Sequence, residues 1–226
     1  ILEKNHIYHI FNRGNNKRSI FYKEENYCYF VEKIRKFILP YTAIYAYCLM
    51  PNHFHMMIEI THETINGLSI NDSIGRMLSS YARAINKQQA TTGSLFQQHS
   101  KARCLTEQNE LSPNYYNTSK GTLINISNKE REYPSVCMAY IHYNPVVDGL
   151  VSRPQDWKFS SYREYSGKGV SGLININQGN YYFVRELNLG IGICSPTGVR
   201  TTIKGGLSRT RSPNFESDHE DQSAHS

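Results

Sequence analysis

The chain has 226 residues, 39% of them hydrophobic, with 17 tyrosines, one tryptophan and a net charge of +6. That length suits one well-buried domain with appendages or two small ones, and a pI near 9.0 favours a polyanionic partner, nucleic acid before membrane. The apolar runs are too short to span a bilayer and no signal-peptide pattern is present, while five scattered cysteines without a CxxC pair (Cys28, Cys48, Cys104, Cys137, Cys194) speak against a disulfide framework or zinc ribbon and for reduced thiols in the cytoplasm.

Residues 6–11, "HIYHIF", alternate as a strand does, and "NRGNNKR" after them is turn chemistry. From 23 to 39 the period changes: Tyr27, Phe30, Val31 and Ile34 recur at three and four, with Glu24 and Glu25 early and Arg35 and Lys36 late, which predicts an amphipathic helix ended by Pro40. Two strands follow, 41–50 and 53–60, joined by a turn at Pro51-Asn52. A helix over about 69–89 carries Met77, Leu78, Tyr81 and Ile85 as its apolar stripe, with Arg76, Arg83 and Lys87 on another face. "SLFQQHSKARCL", 94–105, is the fourth predicted strand. The order β-α-β-β-α-β predicts an α+β fold, the ferredoxin-like antiparallel sheet with helices. Residues 106–133 are polar and read as an inserted loop. A short helix over 135–144 is stopped by Pro145, and 148–165 reads as an extension packed by Leu150, Trp157, Phe159 and Tyr162. Together 1–166 form the expected main domain, 167–195 a C-terminal extension, and 196–226 a tail whose composition predicts disorder.

In the third segment, "PNHFHMMIEI", strand alternation points His53, His55, Met57 and Glu59 one way and Phe54, Met56, Ile58 and Ile60 into a core. The two imidazoles stand about 7 Å apart at Cα by strand geometry, close enough to share one metal ion. Spacing alone leaves equally open a pair of histidines on a solvated sheet face. Further ligands must come from elsewhere, and "AYIHYNPV" (139–146) offers them. Tyr140 and Asn144, four apart, share a helix face. An Asn144 amide oxygen can complete a His-His-Asn site, with Tyr140 held beside it. His142 is a rival ligand and Tyr143 a rival nucleophile, though neither shares that face with Asn144.

"YHIFNRGNNKRSIF", "AYCLMPNHFHMMIE", "SSYARAINK", "GSLFQQ", "YIHYNPVVDGLV" and "DWKFSSY", in this order over residues 6–166, resemble the REP-associated tyrosine transposases. These are insertion-sequence-type single-tyrosine transposases of the HUH (His-hydrophobic-His) endonuclease superfamily. The resemblance implies a C-terminal nucleophile helix on the ferredoxin-like sheet. It further implies a single-stranded DNA substrate folded as a hairpin, a divalent metal (Mg²⁺ or Mn²⁺), and a prokaryotic, nucleoid-associated protein. By motif, His53, His55 and Asn144 are metal ligands and Tyr140 is the nucleophile, leaving a 5′-phosphotyrosine and a free 3′-OH. A monomer is implied for this group, with a helix-swapped dimer as the alternative. The 106–133 insertion departs from the family pattern by its length.

Phosphate contacts are expected from Arg13, Lys17 and Arg18 in the first turn, from Arg76, Arg83 and Lys87, and from Lys101 and Arg103. Asn15 and Asn16 are candidates for reading base edges or simply turn formers. Tyr47 or Phe96 are candidate stacking faces for bases. A non-catalytic nucleic-acid-binding module on the same fold is the competing reading. A replication initiator or relaxase would share the chemistry but often carries paired tyrosines or helicase regions; no helicase region is seen, and no second tyrosine on the Tyr140 face of the helix.

Overall fold

The computed structural model describes residues 1–106, 115–118, 121–124 and 129–188. Strand β1 (Ile7–Arg13) leads through a short 3₁₀ turn into helix α1 (Glu24–Phe37), which buries Tyr27, Phe30 and Ile34. The side chain of Asn26 in its first turn accepts from the backbone N–H groups of Tyr22 and Lys23, fixing how the chain enters the helix. A 3₁₀ turn containing Pro40 then feeds β2 (Thr42–Met50), and β3 (His53–Ile60) returns alongside it. Two short strands, β4 (Thr64–Ile65) and β5 (Leu68–Ser69), precede α2 (Ile70–Gln88), whose N-cap Ser69 accepts from the Asp72 N–H. Strand β6 (Lys101–Cys104) closes the set, and the sheet order is β2-β3-β1-β6 with all pairs antiparallel. That order is the ferredoxin-like one.

The fourth strand is shorter than its apolar pattern suggested. Only 101–104 pair with β1; upstream, contact with the end of β1 continues as an isolated Gly14–Phe96 bridge and a Gln97 N–H bond to the Arg13 carbonyl. Phe96 there plugs the core rather than extending a ladder.

Within 106–133 the chain forms a hairpin of β7 (Tyr115–Thr118) and β8 (Gly121–Ile124), and α3 (Lys129–Val147) begins there. α3 is longer than predicted at both ends, with Pro134 and Pro145 inside it. Its amphipathic signal is weak because it is covered on two sides. Cys137, Met138, Ala139, Ile141 and His142 are all buried, and α3 contacts β2, β3 and a helix that the sequence reading did not anticipate, α5 (Ile176–Asn188). The short α4 (Tyr162–Tyr165) packs beside α5. The tail from 189 onward, including Cys194, lies outside the described residues.

The sheet is therefore buried on both faces. One core, under α1 and α2, holds Ile10, Phe30, Phe54, Met56 and Tyr81; the other, under α3 and α5, holds Met50, Met57, Met138 and Ile141. A register shift between Ile44 and Ala46 places both Tyr45 and Ala46 on the α3 side. Trp157 donates from Nε1 to the Leu49 carbonyl and Phe159 stacks on Tyr27 at 3.9 Å, tying the 148–165 segment to both layers. Leu150 does not share in this: it is exposed. Phe30, with no accessible surface, meets Phe21, Phe54 and Tyr81 in close ring contacts. Phe30→Ala is expected to cost about 3–5 kcal/mol, read as a lower urea midpoint with unchanged slope.

Candidate active site

Pairing of β1 with β3 sets Arg13 opposite His53 and Phe11 opposite His55, and β6 sets Lys101 opposite Phe11 and Arg103 opposite His9. By strand alternation these side chains share one face of the sheet, the face that α3 crosses. His55 is buried there and His53 half-buried, so the solvated-face reading of the pair does not hold. The half-buried Tyr140 ring stands edge-on to His55 at 5.3 Å and to His9 at 5.9 Å between centroids. One helical turn on, Asn144 Oδ1 lies 3.0 Å from His53 Nε2. The four residues singled out from two distant segments thus meet at one place.

His142 and Tyr143 do not. His142 is fully buried on the other side of α3, 2.8 Å from Ser161 Oγ and among Tyr162, Tyr165 and Phe183, while Tyr143 packs edge-on to Tyr162.

Burial sets the protonation of the histidines. It holds His55 well below the usual imidazole range, with His9, His53 and Arg13 acting in the same direction. Burial also lowers His53, against the opposing pull of Asn144 and Asp148. His9 is pushed down to about 4 by burial and then by Arg103. All three are neutral at pH 7. A folded-state value below the unfolded one means that the unfolded chain takes up the protons first, so stability is full above about 6.5 and falls with pH. For His9 alone the loss approaches roughly 3 kcal/mol by pH 4. Urea unfolding in EDTA is expected to show the midpoint dropping steadily between pH 7 and 4.5.

The donor set fits a divalent cation. Neutral His53 carries one ring proton, yet its two nitrogens face two amide oxygens, Asn52 Oδ1 at 2.6 Å and Asn144 Oδ1 at 3.0 Å. The nitrogen without the proton offers a lone pair, and Asn144 offers an amide oxygen beside Nε2. A cation held by Nε2 and Asn144 Oδ1 would draw on both of these donors, and neighbouring ligands of an octahedral ion with bonds of ~2.1 Å stand about 3.0 Å apart. Among the described residues no three His, Cys, Asp or Glu side chains form a metal cluster of their own.

The expected DNA-contacting residues separate into groups. Arg13, Lys101 and Arg103 lie on the face of the histidine pair. Asn15, Lys17 and Arg18 form a turn at the His53 end of the sheet, where Gly14 N–H bonds the Asn52 carbonyl and Arg18 reaches Asn86. Gly14 is required there because a Cβ would sit 2.0 Å from the Arg18 carbonyl oxygen. Arg76, Arg83 and Lys87 are exposed on α2, which covers the opposite face of the sheet, so the structure does not bring them to the site. Tyr47 and Phe96 are buried and present no face for stacking. His9 was missed by the sequence reading. Alternation in "HIYHIF" puts it on the same face as Phe11, but only the strand register shows that this face is that of His55.

Residues 3–112 match the family model described as transposase, IS200-like. That segment is similar to the IS200-like transposases. It covers all four strands of the main sheet and both histidines of the HFH motif, and it ends before α3. No curated protein matches the chain. A solved structure of a REP-associated tyrosine transposase bound to a REP hairpin is similar at 16% identity and a TM-score of 0.49, covering 78% of this chain and 86% of that one.

Proposed function

We propose that the protein is a metal-dependent, single-strand DNA endonuclease and strand transferase of the REP-associated kind, cleaving beside DNA hairpins through a 5′-phosphotyrosine. The observation that carries this reading is the meeting of Tyr140 and Asn144, from one face of α3, with His53 and His55 of β3. His53, His55 and Asn144 would hold Mg²⁺ or Mn²⁺. When bound, such an ion polarises the scissile phosphate and orients it for in-line attack. Tyr140 Oη attacks the phosphorus, the new P–O bond replaces the bond to the 3′-oxygen, and that oxygen leaves as a 3′-OH with a proton from water. The phenolic proton passes to solvent. Because the ester energy is kept on Tyr140, a second 3′-OH can reverse the step without a nucleotide cofactor. Arg13, Lys101 and Arg103 would lie along the scissile strand, and Asn15, Lys17 and Arg18 at its entry. The protein would act as a monomer, with a dimer that exchanges α3 between protomers as the alternative.

A denaturing gel of the protein with a pool of labelled hairpins flanked by single strands tests the reading. It expects a covalent protein–DNA adduct with Mn²⁺ that EDTA abolishes. Tight binding across the pool with no cleavage in Mn²⁺ would instead make the protein a binding module.

A further inference from the structure

The site contains a third imidazole that no ligand set uses. His9 Nε2 lies 2.9 Å from His55 Nδ1, both rings are buried, and the ring planes are within 28° of each other at a centroid distance of 5.1 Å. On its other side His9 is stacked on Phe11 at 4.7 Å, and the edge of Tyr140 closes the group. Between two neutral imidazoles at this separation, one N–H donates and the other nitrogen accepts. We infer that His9 is a positioning residue: it accepts the His55 Nδ1–H, and so fixes His55 in the tautomer whose Nε2 lone pair is available to a metal ion. This rests on the proposed metal-holding role of His55. A ligating histidine whose far nitrogen is held by an acceptor has both its proton and its ring rotation fixed, and such a partner is commonly a carboxylate or carbonyl. Here the acceptor is an imidazole, locked by Phe11 and by the sheet register.

The test has two arms. In metal-free protein, long-range ¹H–¹⁵N correlation of the histidine rings is expected to show His55 protonated at Nδ1 and His9 at its own Nδ1. In a Mn²⁺ titration followed by electron paramagnetic resonance, His9→Phe is expected to weaken binding by about 10- to 100-fold. His9→Gln, whose side-chain oxygen accepts the same N–H, is expected to recover most of it. The ring-proton arm needs no variant and stands even if His9→Phe fails to fold. His55 protonated at Nε2 in the wild type, or Mn²⁺ bound equally well by folded His9→Phe, would overturn the inference while leaving the metal reading in place. A wild type that binds no Mn²⁺ while His55 carries its proton on Nδ1 would overturn the metal reading itself, and with it the role given to His9.

Discussion

Tyr140→Phe is expected to bind hairpin DNA as the wild type does and to form at least about 10³-fold less covalent adduct. The substitution removes only the nucleophilic oxygen. The ring that stands edge-on to His55 and His9 remains, and so does the packing of α3 on the sheet. Binding should hold because the basic groups assigned to the strand, Arg13, Lys101 and Arg103, lie on β1 and β6. Tyr143→Phe is the matched control. Its ring faces Tyr162, away from the histidines, and full adduct formation is expected. Quantified adduct bands together with gel-shift affinities separate the two effects.

The second large effect concerns the ligands. His53→Ala is expected to weaken Mn²⁺ binding at least about 10²-fold, more than loss of a residue that only orients a ligand, and to remove cleavage at ordinary metal concentrations. The fold should survive it, since His53 is half-buried at the end of β3 next to the Pro51-Asn52 turn. Asn144 gives a finer comparison. Asn144→Leu removes the oxygen and should behave like His53→Ala. Asn144→Asp keeps an oxygen in place and adds a negative charge, so it should bind the ion at least as tightly as the wild type. Calorimetric titration of each variant with Mn²⁺ checks the order. Equal affinity of wild type, His53→Ala and Asn144→Leu would place the metal elsewhere.

The main sheet was legible because its elements are local. Alternation in 53–60 and three-and-four spacing in 24–37 each reflect one buried face, and the β-α-β-β-α-β order allows few topologies. His53 and His55 were legible as a pair by the same alternation. Tyr140 and Asn144 could be matched with them only through helix spacing and the motif resemblance, since 85 residues in sequence separate His55 from Tyr140. α3 itself was harder to read. A helix pressed between a sheet and α5 buries side chains nearly all round, so its apolar stripe disappears and its ends are obscured. The hairpin before it lies in a stretch rich in Asn, Ser and Thr, a composition that reads as loop. The place of the basic face of α2 relative to the histidine pair was not legible, because charge on an exposed helix carries no information about which side of the sheet the helix covers. Its arginines point outward from the layer opposite α3. His9 and its contact with His55 required the β1–β3 register, which sequence alone does not set.

The measurement that bears most directly on the central claim is mass spectrometry of the peptide left covalently joined to DNA after cleavage in Mn²⁺. The account predicts a nucleotide attached through its 5′-phosphate to Tyr140, with a free 3′-OH on the released strand. Attachment at another residue, or a product carrying a free 5′-phosphate and no peptide, would contradict it.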